Sequence, residues 1–177
     1  MEHRTLSSRL VYENRWMRVR EDDIERDDGS RGVYGVVDKP DYVVIIPIDS
    51  AGLHLVEQFR YPVGARYWEF PQGSWEAVPD VAPDELARAE LAEETGLRAG
   101  HLRNLGHLFG AYGFCSQRFH VYVATDLEQG EPARAPEEQG MRVARFDEHE
   151  VHAMIRDGAI RDAPSIAAYG LHLLSRA

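Results

Sequence analysis

This chain carries a glycine-containing turn, residues 71–75, followed by a helix with an acidic side, and this pair limits its possible folds more than any other part of the sequence. The helix is predicted to span about Pro83–Thr95 and to end at Gly96, a residue suited to the left-handed conformation of a helix C-cap. At roughly 100° per residue, three carboxylates of this helix fall within an arc of about 100°. They are Glu90, Glu93 and Glu94. The apolar Ala87 and Leu91 lie beside them and are expected to face the core.

Three carboxylates on one helix face repel one another, and two interpretations account for them. The first is a solvated acidic face, because glutamate is a good helix former and is common on surfaces. The second is a site for a hard divalent cation, Mg²⁺ or Mn²⁺, which prefers oxygen ligands. The preceding turn favours the cation, since the backbone carbonyl of Gln72 or Gly73 can be aimed at the same metal.

Composition excludes several classes of function. The 177 residues carry a net charge of −10, so the chain is a poor candidate for binding nucleic acid or anionic lipid. The length suits one domain, or one domain with a small appendage. Cys115 is the single cysteine, which rules out an intramolecular disulfide and suits a reducing cytoplasm. We see no apolar run of membrane-spanning length and no signal-peptide pattern, and we predict a cytoplasmic protein.

The chain before residue 40 is predicted to form antiparallel β structure. Short runs of apolar and β-favouring residues between positions 8 and 37 are interrupted by Asp-Asp-Gly-Ser at 27–30, a sequence typical of a hairpin turn. A segment of this size is too small for a core of its own and must pack on something else. We therefore divide the chain into an N-terminal β segment, residues 1–39, and a main domain, residues 40–177.

The main domain is predicted to be an α/β fold with a mixed sheet between helices. Its continuous apolar run at 42–48 is typical of a central strand covered on both faces. Further strands are predicted at 53–59, 67–70, 105–109, 118–124 and 141–146, with a surface loop at 126–140. A helix is predicted at 148–156, and a last helix begins near Asp162 with three core positions: Ile166, Leu171 and Leu174.

The turn and the acidic helix resemble the signature of the Nudix hydrolases, which cleave nucleoside diphosphates linked to another group. The resemblance rests on Gly73 and on residues 90–97, Glu-Leu-Ala-Glu-Glu-Thr-Gly-Leu. The spacing from Gly73 to Glu90 is two residues longer than usual. Ala89 stands where the family has an arginine that holds the glutamates in position, and Arg88 lies about 100° away around the helix.

Residues 58–61, Gln-Phe-Arg-Tyr, resemble the ADP-ribose pyrophosphatase-like branch of that family. The resemblance implies that Arg60 binds the substrate's phosphates through charge-assisted hydrogen bonds. Glu69 either binds the sugar or base, or ends a strand in a salt bridge. In that branch a comparable N-terminal sheet is exchanged between two subunits, which implies a homodimer. Tyr12 and Trp16 would then sandwich a base, or else serve core or interface packing.

The resemblance as a whole implies a Nudix α/β/α sandwich and metal-dependent hydrolysis of ADP-ribose or an ADP-sugar to AMP and a sugar phosphate. Glu90 and Glu94, with Glu93 close behind, would bind Mg²⁺ or Mn²⁺ together with a carbonyl such as that of Gln72. In the family a flexible-loop glutamate orients or deprotonates the attacking water. The candidates here are Glu137 and Glu138, of which we prefer Glu138, although the family spacing falls near Gln139 and a solvated surface loop is the alternative. Two alternatives stay open: hydrolysis of another nucleotide substrate, and a non-catalytic sensor with the same fold.

Overall fold

A computed structural model describes residues 3–75, 81–133 and 140–176. The N-terminal segment forms a three-stranded antiparallel sheet in the order β1 (His3–Glu13), β2 (Arg18–Arg26) and β3 (Arg31–Asp38). Gly29, at φ 79°, closes the predicted turn between β2 and β3. The backbone N–H of Val37 donates to the carbonyl of Phe114, at 2.8 Å, and so attaches this sheet to the rest of the chain. The division at residues 39 and 40 stays a prediction.

The rest of the chain builds a second, seven-stranded sheet and three helices. Its strands are β4 (Tyr42–Asp49), β5 (Gly52–Arg60), β6 (Ala65–Glu69), β7 (Gln72–Gly73), β8 (Leu97–Phe109), β9 (Arg118–Gln129) and β10 (Arg142–Phe146). The helices are α1 (Pro83–Thr95), α2 (Glu148–Asp157) and α3 (Ala163–Leu174). The main order is β10-β5-β4-β9-β8, with β6 beside β5 and β7 beside β4. The β4–β9 pair is parallel and the others are antiparallel, so the sheet is mixed.

The central strand β4 is buried because helices cover both of its faces. Val43 and Ile45 belong to a core cluster with α1 residues such as Leu91. Val44 and Ile46, which point the other way, belong to a cluster with residues of α2 and α3. Alternate side chains of one apolar run therefore serve two cores, as the period of a strand requires. This arrangement confirms the predicted α/β/α sandwich.

Helix α1 begins and ends where its sequence predicts. Pro83 occupies the first turn, in which its missing N–H is not needed. Gly96 has φ 77° and its N–H donates to the carbonyl of Ala92, closing the last turn. A Cβ at position 96 would also collide with the carbonyl of Gly130. A side chain there would therefore separate the end of α1 from the segment that follows β9.

A divergence of β4 from β5 creates the place where the acidic helix and its turn meet. The two strands pair only at Ile48–Leu53 and Asp49–Gly52, next to their connecting turn. Beyond that point, residues 65–73 fill the gap: β6 pairs with β5 and β7 pairs with β4. The backbone carbonyl of Pro71 accepts a hydrogen bond from the N–H of Ile45, at 2.9 Å, between the two short strands.

Three expectations about the elements were wrong. β8 starts at Leu97 rather than at 105, and β9 continues to Gln129, so residues 126–129 belong to a strand and not to a loop. The extra residues are largely polar and exposed, so the sequence shows no alternating apolar pattern there. Backbone pairing between β8 and β9 keeps them in strand conformation. Leu174 is 76% exposed instead of buried, while Tyr169 and His172 occupy the core-facing positions of α3.

Among the described residues, none of the helices combines the length and the apolar character required to cross a bilayer.

Candidate active site

Two of the three helical carboxylates are buried. Glu90 is 5% exposed and Glu94 is 1% exposed, whereas Glu93 is half-buried. Removing an ionised carboxylate from water is costly unless a partner or a metal compensates it. The structure therefore disagrees with a solvated acidic face, because the carboxylates point from α1 toward the turn and the sheet.

The turn at residues 71–73 packs directly against these carboxylates. The backbone N–H of Gln72 donates to Oε2 of Glu94 at 3.1 Å. A Cβ added at Gly73 would collide with the carboxylate of Glu90, so a side chain at position 73 would require that carboxylate to move. The turn and the two buried glutamates thus form one packed unit, although they lie far apart in sequence.

The donor set of this unit fits a hard divalent cation. It comprises the carboxylate oxygens of Glu90 and Glu94, which are of the ligand type that Mg²⁺ and Mn²⁺ prefer. Among residues 3–75, 81–133 and 140–176, no three His, Cys, Asp or Glu side chains are grouped to hold one ion. Two carboxylates suffice for Mg²⁺, which usually keeps several waters and completes its shell with substrate phosphates.

The structure also shows whether Arg88 can replace the arginine that the family has at the position of Ala89. The side chain of Arg88, which is next to it in sequence, donates from Nη1 to the carbonyl of Ala99 at 2.6 Å. It is therefore directed toward β8 and does not take the place of the arginine that the family has at position 89.

Arg60, the residue proposed to bind phosphate, forms a bidentate ion pair with Glu69. Its Nε lies 3.1 Å from Oε2 of Glu69, and its Nη2 contacts Oε1. Nε2 of Gln58 donates to the same Oε1 at 2.7 Å. Glu69 is 1% exposed, and the Arg60 side chain is 42% exposed. Glu69 therefore ends β6 in a salt bridge, which agrees with one of the two roles considered for it.

Electrostatics link this ion pair to other groups. Burial raises the pKa of the Glu69 carboxyl, and the Arg60 guanidinium opposes that shift. The charge of Asp162 acts on both members of the pair, and that of Glu94 acts on Arg60. Burial raises the pKa of Tyr42 as well, with a further contribution from Asp162. The pair thus lies in the same electrostatic neighbourhood as the acidic helix.

Asp162 joins this neighbourhood through hydrogen bonds that sequence analysis did not anticipate. Its Oδ2 accepts from Nε2 of Gln72 at 3.0 Å, and from the N–H and Oγ of Ser165 at 2.9 and 2.7 Å. Oγ of Ser165 in turn accepts from the N–H of Phe70 at 2.9 Å. The sequence marks Asp162 as a helix cap, which is confirmed, but carries no signal that the cap reaches the turn.

Two other predicted site residues lie in the N-terminal segment. Tyr12 and Trp16 are exposed on the N-terminal sheet and its first connection, so core packing within one chain does not account for them. Glu138 lies outside the described residues. The N–H of Ala133 donates to the carbonyl of Glu93 at 3.1 Å.

Comparison with known proteins adds two family matches and several relatives. A family model described as the NUDIX domain matches residues 38–169, and one described as the nucleoside diphosphate sugar hydrolase N-terminal domain matches residues 4–37. The chain is 27% identical over 169 residues to a methanol dehydrogenase activator of Bacillus methanolicus, covering 94% of this chain and 90% of that protein.

It is also 24% identical over 176 residues to an ADP-ribose pyrophosphatase of Bacillus subtilis, with 98% and 93% of the two chains covered. A crystal structure of an ADP compounds hydrolase superimposes with a TM-score of 0.85 at 25% identity, covering 97% of this chain and 92% of that one. The similarity therefore includes the N-terminal sheet as well as the larger one.

Proposed function

The chain belongs to the Nudix hydrolase family, and from that premise we propose that it hydrolyses the pyrophosphate bond of ADP-ribose or an ADP-sugar. The products are AMP and a sugar phosphate. The observation that carries this proposal is the burial of Glu90 and Glu94 against the turn at Gln72 and Gly73. The relative that is named an ADP-ribose pyrophosphatase supports the choice of substrate.

Glu90 and Glu94 would hold the metal, with Glu93 beside them and a backbone carbonyl of the turn at Gln72 as a further ligand. When bound, Mg²⁺ or Mn²⁺ neutralises phosphate charge and lowers the pKa of a coordinated water. Glu94 already accepts the backbone N–H of Gln72, so its carboxylate is held in place before any ligand arrives. A carboxylate fixed in this way loses little conformational entropy on binding.

The other charged residues of the neighbourhood have separate roles in the proposal. Glu69 holds Arg60 by Nε and Nη2, which leaves the second Nη of that guanidinium to donate to a substrate phosphate. Proton removal from the attacking water is assigned to a carboxylate, with Glu138 first and Glu93 as the alternative. In this proposal Arg60 binds the substrate phosphate, while the glutamates bind the metal and accept the proton of the attacking water.

The N-terminal sheet supports a homodimer. Strand β1 is exposed along its whole length, and the sheet displays several large apolar side chains. They are Leu6, Leu10, Val11, Tyr12, Trp16, Val33 and Tyr34. Contiguous exposed apolar surface marks protein interfaces. We assign this surface to a second copy of the chain, in which Tyr12 and Trp16 of one protomer contact the base bound by its partner. A cytoplasmic location is also part of the proposal, consistent with the lone, buried Cys115.

The test is a product assay with ADP-ribose, ADP-glucose, GDP-mannose and NADH, each with Mg²⁺, with Mn²⁺ and with chelator. We expect metal-dependent AMP release from ADP-ribose to be the fastest reaction. Glu94→Gln should lower that rate at least about 100-fold, because metal assistance contributes several kcal/mol to the transition state. Glu85→Gln is the matched control, since Glu85 is exposed on the first turn of the same helix.

The possible results separate the alternatives. Normal turnover by Glu94→Gln would reject the metal assignment. Faster hydrolysis of another compound in the panel would replace the substrate while keeping the chemistry. Tight binding of one compound without hydrolysis of any would favour a sensor.

A further inference from the structure

The chain between β6 and β7 is held from the side of α3. Phe70 follows the last residue of β6, and its buried N–H donates to Oγ of Ser165, at 2.9 Å, rather than to a neighbouring strand. Two residues later, the side chain of Gln72 donates to Asp162 at 3.0 Å. Asp162 and Ser165 are themselves joined at 2.7 Å. The start of α3 therefore holds residues 70–73 through two hydrogen-bonding side chains, those of Asp162 and Ser165.

The same stretch is held from the opposite side by the acidic helix and by β4. The N–H of Gln72 donates to Glu94 at 3.1 Å, and the carbonyl of Pro71 accepts from Ile45 at 2.9 Å. Gly73 lies so close to Glu90 that any side chain at that position would displace the carboxylate. A shift of the turn would therefore be transmitted to both buried glutamates.

We propose that Asp162 is a positioning residue for the metal site. Through Ser165 and the side chain of Gln72, it sets the distance of the turn from Glu90 and Glu94, and this distance controls the affinity for the divalent cation. Asp162 does not contact the metal. The inference rests on the proposed function, since it takes the helical glutamates to be metal ligands.

A simple helix cap is the competing explanation, and the chain contains a cap for comparison. Asp147 caps α2: its Oδ1 accepts from the N–H of Glu150 at 2.7 Å, and the Glu150 side chain accepts from the N–H of Asp147 at 2.8 Å. Asp147 is exposed, and these bonds stay within α2. Removal of either cap destabilises a helix, but only the cap at position 162 is bonded to the turn.

The test measures Mn²⁺ binding directly, by the loss of the free-ion electron paramagnetic resonance signal, without substrate. Asp162→Ala should weaken Mn²⁺ binding by about 10-fold or more, the lower part of the 10- to 100-fold range for groups that orient metal ligands. Asp147→Ala should lower the thermal midpoint but leave Mn²⁺ affinity unchanged. Asp162→Asn should rescue binding, since its amide oxygen can accept from the same donors.

Gln72→Leu provides a second variant if Asp162→Ala does not fold. It removes the donor to Asp162 but keeps the helix cap and the backbone of the turn, and it should weaken Mn²⁺ binding in the same direction. Wild-type affinity in Gln72→Leu, or in a folded Asp162→Ala, would overturn the inference. Equal weakening by Asp147→Ala would also overturn it, because general destabilisation would then explain the effect.

These results are distinguishable from failure of the proposed function. A wild-type protein that binds Mn²⁺ but hydrolyses no compound of the panel rejects the substrate assignment and leaves the role of Asp162 testable. A wild-type protein that hydrolyses ADP-ribose, with unaltered Mn²⁺ binding in the variants, rejects only the role of Asp162. A wild-type protein that neither binds Mn²⁺ nor hydrolyses any compound of the panel rejects both, whereas one that hydrolyses ADP-ribose without binding Mn²⁺ in the absence of substrate rejects only the role of Asp162.

Discussion

Replacing Arg60 with methionine should leave the buried carboxylate of Glu69 without its cation. Methionine keeps most of the length of the arginine side chain, so the main change is the loss of the guanidinium. Gln58 still donates one hydrogen bond to Glu69, but a single amide does not neutralise its charge. The folded protein must then either bury an unpaired anion or protonate Glu69. Both alternatives lower the free energy of unfolding.

The exposure of the two side chains sets the size of this cost. Breaking a fully buried ion pair by removing one partner costs about 3–5 kcal/mol. The Arg60 side chain is 42% exposed, so water reaches the vacated volume, and we expect about 2–3 kcal/mol instead. At about 2–4 °C per kcal/mol for a chain of this length, the thermal midpoint should fall by about 4–12 °C.

The loss should depend on pH in a defined direction. Burial already raises the pKa of Glu69, and without Arg60 nothing of comparable strength opposes that shift. Between the unfolded pKa of about 4.3 and the higher folded pKa, the native state binds a proton that the unfolded state does not. Stability of the variant should therefore fall, relative to wild type, as the pH rises from about 4.5 toward 8.

The assay is thermal unfolding in chelator at several pH values, so that metal binding does not contribute. Arg66→Met is the matched control: Arg66 lies on β6 and pairs with Glu57 at 3.0 Å, but Arg142 also lies within 3.4 Å of Glu57. This control should cost less than about 1 kcal/mol, with little pH dependence. Adding Glu69→Gln to Arg60→Met should recover part of the loss and remove the pH dependence. An Arg60→Met protein as stable as the control at every pH would show that Glu69 does not depend on Arg60 for its burial.

Three further predictions address other parts of the molecule. Gly73→Ala should displace the carboxylate of Glu90 and lower Mg²⁺-activated turnover by on the order of 100-fold. A Mg²⁺ titration at saturating substrate checks this, and an unchanged profile would contradict the close contact between Gly73 and Glu90. His172→Leu should stabilise the protein by about 1–2 kcal/mol, because both buried ring nitrogens lack a hydrogen-bond partner among the described residues. Burial, with the charge of Arg176, also lowers the pKa of His172, so wild-type stability should decline as the pH falls below about 6.5. The advantage of the leucine variant should thus be larger at acidic pH than at pH 8, and a pH-independent difference in thermal midpoint would reject this explanation. Leu174→Ser, at a 76% exposed position, should change the free energy of unfolding by less than about 0.5 kcal/mol in a denaturant titration, and a loss typical of a core residue would show that the position is covered.

Elements with a strong local signal could be predicted from the sequence. Helix α1 has both of its ends encoded, by Pro83 and by Gly96, and the structure places them where expected. The apolar run of β4 indicated a strand with two buried faces, and helices cover both. The early start of β8 and the late end of β9 carried no such signal, because paired backbone rather than side-chain burial holds those polar residues.

The candidate site divides in the same way. A helix period is enough to place Glu90, Glu93 and Glu94 together, since neighbours on one helix are set by local geometry. The link from Asp162 to Gln72 spans 90 residues. The link forms because α3 begins beside residues 70–73, which fill the gap between β4 and β5. No local sequence pattern predicts this contact.

Local sequence was enough to identify an acidic helix preceded by a glycine turn, and with it the resemblance to the Nudix hydrolases. The burial of Glu90 and Glu94, the ion pair of Glu69 with Arg60, and the contact of a helix cap with the turn became visible only in the folded chain. The difference lies in the sequence distance over which each effect acts. Helix periodicity and capping act within a few residues, whereas burial and ion pairing depend on which distant segments the folded sheet brings into contact.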